Sequence, residues 1–155
     1  SREGGERRLN DSGLTGGGGH WREEMAAFQQ QRRNAEIDRL HTKTFVAWAN
    51  AHLQRRGLQV RDMGRDFRDG TLLVNLAEEL VGEACPFAYA KKPTNEYQEM
   101  DNLVVGLKFL GTRGRVSDID PAMVHKGDTK ALLALLWRLI VNFGGFSDPV
   151  GGGPG

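Results

Sequence analysis

Residues 130 to 143, KALLALLWRLIVNF, constrain the fold of this chain more than any other stretch. The run predicts a helix on which apolar residues outnumber polar ones on every side, whereas a surface helix shows a single apolar stripe. Such a helix needs packing partners in several directions at once. Lys130 and Arg138 within the run, and the lack elsewhere of the ~20 consecutive apolar residues that cross a bilayer, argue against membrane insertion. The partners must come from the same chain.

The rest of the sequence supplies helices and no convincing strand. In HTKTFVAWANAHLQRR, Phe45, Trp48, Ala49, His52 and Leu53 recur at spacings of three and four, one face of a helix that Gly57 ends. DFRDGTLLVNLAEELVG offers Asp66 and Asp69 as N-caps and a second stripe of Leu72, Leu73, Leu76, Leu80 and Val81, closed by Gly82. Residues 83 to 93, with two prolines, read as a loop. Asn95 followed by Gln98 has the form of a capping box opening a third helix, whose stripe is Leu103, Val104, Leu107 and Leu110. DIDPAMVHKG predicts a connector with one short turn begun at Pro121, and Asp128 is placed to cap the last helix. The expected fold is all-α, a compact bundle around a buried C-terminal central helix with Trp48 and Trp137 in its core.

A chain of 155 residues is a single-domain length, and the glycines indicate where the domain lies. Thirteen of the 21 glycines fall in residues 1 to 20 and 144 to 155, so both ends are expected to be flexible, the second as a linker. The bundle is expected over 41 to 143. Between the two, WREEMAAFQQQRRNAEIDRL at 21 to 40 places Trp21, Met25 and Phe28 on one helical face before polar residues of good helix propensity interrupt it. This segment reads either as a helix running into the first domain helix or as a frayed extension.

A net charge of +1 argues against a nucleic-acid binder with a uniformly basic surface. The one cysteine, Cys85, has no partner for an internal disulfide or a cysteine-based zinc site, and SREGGERRLNDSG lacks a signal-peptide core, so a reducing, cytoplasmic setting is expected. No catalytic constellation emerges. KGDTK at 126 to 130 lacks the leading glycine and the strand of a phosphate-binding loop, and His20, His41, His52 and His125 have no metal-ligand spacing. Glu78 and Glu79 are adjacent, so they diverge by about 100° on a helix and do not converge on a substrate. No metal, cofactor or enzymatic activity is expected.

KTFVAWANAHL, DFRDGTLLVNLAEELVGE, NLVVGLKFL and GDTKALLALLWRLIVNF, in that order and at those distances, resemble the calponin-homology domain over about residues 41 to 143. The Lys-Thr-Phe…Trp-Ala-Asn opening, the Arg-Asp-Gly turn and the Leu-Leu-Trp centre look most like the first domain of the tandem actin-binding modules of α-actinins, spectrins, filamins and cortexillins. The resemblance implies a cytoskeletal, actin-filament-binding module of a larger protein, whose missing parts would set its oligomeric state. It maps the family's contact regions onto Lys43, Thr44, Ala47 and Asn50 of the first helix and onto Asp128, Lys130, Ala134 and Arg138 at the last. Arg32, Arg33 and Arg39 are further candidates if the preceding segment is helical. Actin filaments are acidic, so Lys43, Lys130 and Arg138 suit charge complementarity. The competing reading of the same family is a domain that binds microtubules or a signalling partner.

Overall fold

The computed structural model describes residues 17 to 144, which form helices and no strand. The helices are α1 (Gly17–Leu53), α2 (Met63–Asp66), α3 (Thr71–Val81), α4 (Glu96–Gly111), α5 (Pro121–His125) and α6 (Thr129–Phe143), with a 3-10 turn at Gln54–Arg56 after α1. The chain divides into two units, Ser1–Leu40 and His41–Gly155. Most of the flexible ends expected at 1 to 20 and 144 to 155 lie outside the described residues, although residues 17 to 20 already belong to α1. Residues 21 to 40 fall within the bounds of α1.

In the second unit, local signals set the ends of the helices. Gly57 takes a left-handed conformation, φ 71°, and its N–H donates to the Gln54 carbonyl. Gly82, φ 82°, ends α3 the same way on the Glu78 carbonyl. Both positions favour glycine because a Cβ is strained at positive φ. The Asn95 side chain accepts from the Gln98 N–H, while the Gln98 amide oxygen accepts from the Thr94 N–H at 2.7 Å, one residue further back than in the usual capping box. Asp128 accepts from the Ala131 N–H at 2.9 Å and so caps α6 as expected.

The start of α3 differs from expectation at Asp66. Gly70 is the N-cap of α3, with Asp69 one residue before it accepting from the Thr71 N–H and hydroxyl, and Asp66 closes a short helix that the apolar pattern is too brief to reveal. Asp62 caps that helix on the Arg65 N–H, and Asp66 reaches back to accept from the Arg61 and Asp62 N–H groups. The two carboxylates are thereby used inside the α2 turn.

The core brings together Ala49 and Leu53 of α1, Phe67, Leu73 and Leu76 around α3, Leu103, Phe109 and Leu110 of α4, and Leu132, Leu135, Leu136 and Leu139 of α6. At its edge, Asn102 is fully buried. Its amide donates to the Asp69 and Ala90 carbonyls and accepts from the Ala90 N–H, so one side chain ties α4 to the segments before and after α3. Burial of a polar group is tolerable here because its hydrogen-bonding capacity is met.

Two stripe assignments need correction. Val104 is 45% exposed, and the inward face of α4 is carried by Leu103, Val105, Gly106, Phe109 and Leu110. Helix α6 is central but not enclosed on all sides. Trp137 is 41% exposed and Val141 is at the surface, because the buried leucines complete the inner face without them. Trp48, half-buried, packs against the core and meets the His52 ring edge-on at 4.7 Å.

Candidate functional site

Burial sorts the residues of α6 into two faces. Leu132, Leu135, Leu136 and Leu139 point inward, whereas Lys130, Ala134, Trp137 and Val141, at spacings of four, three and four, share the outer face and are exposed. On α1, Lys43, Thr44 and Ala47 are likewise exposed, Lys43 and Ala47 about one helical turn apart. Phe45 of α1 joins the two helices: its ring stacks on Trp137 with centroids 5.8 Å apart, and His41 stacks on its other side at 5.3 Å with planes 4° apart. The result is a partly exposed aromatic pair at the junction of α1 and α6, with an exposed lysine on each helix.

The remaining residues singled out from the sequence have local bonds. Asn50 is half-buried, its amide donating to the Val60 carbonyl at 3.1 Å and accepting from the Val60 N–H at 2.7 Å, so it clamps the segment after α1. Asp128 is occupied as the α6 cap. The Arg138 guanidinium donates to one Asp118 oxygen through Nε at 3.1 Å and through Nη2 at 2.6 Å. That hydrogen bond holds the Asp118 carboxyl below its ordinary pKa. Arg138 therefore presents a partly neutralised charge, unlike an isolated cation.

Arg32, Arg33 and Arg39 lie in the first unit, all exposed. The Arg32 guanidinium sits over the Phe28 ring at 5.9 Å, and Arg33 donates to the Gln30 amide oxygen at 2.8 Å.

Trp137, expected in the core, and Val141, not singled out from the sequence, both lie on the exposed face. The signal that separates them is angular. Lys130, Ala134, Trp137 and Val141 repeat on one line of the helix, and the two polar or small members mark that line as outward.

A cleft of about 590 Å³ lies elsewhere, bordered by Arg56, Asn75, Glu78, Cys85, Tyr89 and Lys91. Its polar groups bind one another. Arg56 donates to Glu78, Glu79 and Asn75, and Glu78 accepts from the Cys85 N–H at 2.7 Å. Burial pushes the Glu78 carboxyl up, but the Cys85 N–H and the Arg56 guanidinium outweigh it and leave the pKa below the ordinary value. This cluster ties the end of α1 to α3 and to the following loop. Among the described residues, no group of three or more histidines, cysteines or carboxylates is placed to hold a metal ion, and no helix is long and apolar enough to cross a membrane.

The second unit is all-α among its described residues, with a central last helix and a partly exposed aromatic pair. The family model of the calponin homology (CH) domain matches residues 40 to 144, and the chain belongs to that family. It is 30% identical to human alpha-actinin-4 over 133 residues, which cover 83% of this chain and 14% of that protein. It is 32% identical to Drosophila melanogaster Filamin-A over 120 residues, 77% of this chain and 5% of that protein. Mouse alpha-actinin-3 is 28% identical over 130 residues, again 83% of this chain and 14% of the relative. The matched region is thus a small part of each relative.

Proposed function

We propose that this chain is an actin-filament-binding module of a larger cytoskeletal cross-linking or scaffolding protein, working in the cytoplasm by surface complementarity and without catalysis. The observation that carries the reading is the outward line Lys130, Ala134, Trp137 and Val141 on α6, whose Trp137 ring stacks on Phe45 of α1, with Lys43, Thr44 and Ala47 also exposed on α1. A partly exposed tryptophan held rigid by a neighbouring ring is the kind of anchor that dominates protein interfaces. Lysines at the rim raise the rate of encounter with an acidic filament. Kinship with alpha-actinin-4 and Filamin-A supports actin as the filament. Arg32, Arg33 and Arg39 add cations that suit the same partner.

Co-sedimentation of the chain with actin filaments and, in parallel, with microtubules tests the reading. Pelleting with actin and not with microtubules is the expected result. Pelleting with microtubules alone, or with neither while the protein is folded, transfers the function to the alternative, a CH domain that binds tubulin or an adaptor partner.

A further inference from the structure

Residues 117 to 120 read Ser-Asp-Ile-Asp, and Ser117 alone among the serines and threonines of the chain is followed by a carboxylate at both the first and the third position. The Ile119 N–H donates to the Val116 carbonyl at 3.1 Å, closing a tight turn with Ser117 and Asp118 at its tip. Val116 and Ile119, 3% and 7% exposed, anchor the two ends of that turn in the core. Ser117 thus stands at a fixed, exposed point between α4 and α5, and its hydroxyl makes no hydrogen bond among the described residues.

The two carboxylates stay accessible. Asp118 gives Arg138 only its Oδ2, and Asp120 gives the Ala122 N–H only its Oδ1. Both residues are exposed. Upstream, Arg113 is paired with Glu83, so Arg115 stands against two carboxylates. Kinases distinguish substrates by such charge patterns, and acids after an exposed hydroxyl suit a serine kinase whose substrate groove is basic.

A phosphate at this tip falls beside α6. Asp118, the next residue, holds Arg138 with 2.6 Å between Oδ2 and Nη2. Arg138 follows Trp137 and lies one turn after Ala134, next to the outward line of that helix. A phosphoserine carries about −1.5 to −2 charges at pH 7 and offers strong acceptor oxygens to a guanidinium. It competes with Asp118 for Arg138 and turns a balanced pair into a negative edge.

We propose that Ser117 is a phosphorylation site for a serine kinase directed by acidic residues, and that its phosphate weakens the hold of the α6 face on an acidic filament. The second half rests on the proposed function. The reaction moves the γ-phosphoryl group of ATP, held with magnesium on the kinase, to the Ser117 Oγ. The bond from that phosphorus to the β-phosphate oxygen breaks as the new P–O bond forms, ADP leaves, and the hydroxyl proton passes to the catalytic carboxylate of the kinase.

Incubating the whole chain with ATP and casein kinase II as an acid-directed probe, then mapping the product by tandem mass spectrometry, tests the site without actin. One phosphate is expected on Ser117. It should be lost in Ser117→Ala and reduced severalfold in Asp120→Asn, a change that keeps the α5 cap because asparagine caps as well as aspartate. Co-sedimentation with actin reads the consequence. The phosphorylated chain should pellet severalfold less well than the unmodified one, most clearly at low salt, with circular dichroism showing that the fold is kept. Ser117→Ala treated in the same way should pellet like the unmodified chain. No phosphate on Ser117, or incorporation indifferent to Asp120→Asn, overturns the site. A phosphorylated chain that pellets as well as the unmodified one overturns the effect on the face. If the unmodified chain does not pellet, the proposed function fails and takes that effect with it, while the mass spectrum still decides the site.

Discussion

Phe45 and Trp137 stack across the junction of α1 and α6 with their centroids 5.8 Å apart, while Trp137 keeps 41% of its surface in water. The pair therefore does two things: it fastens the first helix of the second unit to the last, and it holds an apolar surface open to a partner. A fully buried Trp137 would do only the first.

This divides the expected effects of truncation. Trp137→Ala removes one stacking contact and a partly hydrated ring, so it should destabilise the fold by about 1–2 kcal/mol, below the ~3–5 kcal/mol of a fully enclosed aromatic. Leu136→Ala, one residue away and fully buried, should cost about 2–5 kcal/mol. Urea titration of both variants checks the order. If Trp137→Ala proves the more damaging, the outward placement of that ring is wrong. The same Trp137→Ala protein, still folded, should lose most of its co-sedimentation with actin.

The contrast shows what was legible in the sequence. Helix number, order and most ends could be read because their causes are local: Asp128 lies three residues before the N–H it caps, and Gly57 and Gly82 sit where the apolar periods stop. The short α2 helix is illegible because four residues hold no periodicity, so Asp66 reads as a cap of α3. Trp137 and Val104 read as inward because an apolar residue on an apolar helix carries no mark of which neighbours will cover it. That depends on distant packing. Of the candidate site, the exposure of Lys43, Lys130 and Ala134 follows from helical angle, whereas the Arg138–Asp118 pair and the Asn50 clamp join segments that helical spacing does not relate.

Asn102 and Gly70 provide a test of the core's polar edge. Gly70 sits at φ 80°, and a Cβ there would lie 2.4 Å from the Asn102 Cβ and 2.8 Å from the Leu103 nitrogen. Gly70→Ala therefore meets both backbone strain and a collision with α4, and should destabilise by on the order of 3 kcal/mol. Asn102→Ala strands the Ala90 N–H and two carbonyls, a comparable loss at about 1–3 kcal/mol for each buried group left unpaired. Thermal unfolding of each variant reads these effects. A Gly70→Ala protein that melts with the wild type would mean that α3 and α4 are not so close.

Glu78 predicts a dependence on acid. Burial raises its pKa, the Cys85 N–H and Arg56 lower it more, and the net folded value lies below the ordinary one. A carboxyl with a depressed folded pKa contributes stability that is complete above its unfolded value, about 4.3, and is lost as pH falls through the folded value. Glu78→Gln should thus lower the melting temperature at neutral pH and flatten its decline below about pH 4 relative to wild type. Parallel melting curves for the two proteins from pH 7 to 3 would remove Glu78 from the acid response.

The basic residues beside the aromatic face should not contribute equally to binding. Lys43 on α1 and Lys130 on α6 are exposed, and Arg138 is held by Asp118 through two hydrogen bonds. Replacing Lys43 and Lys130 by Glu reverses two charges facing an acidic filament, and should weaken co-sedimentation with actin severalfold while leaving the melting temperature nearly unchanged, because exposed charges contribute little to stability. The loss should be larger at low salt than at high, since mobile ions screen exposed charges beyond about 10 Å at 0.1 M. Arg138→Gln should have a smaller effect, as the Arg138 charge is already offset by the Asp118 carboxylate, which the change also frees. Binding unaffected by the double lysine reversal at every salt concentration would move the contact surface away from this face. An Arg138→Gln loss exceeding that of the lysines would mean that the Asp118 pair opens when the partner binds.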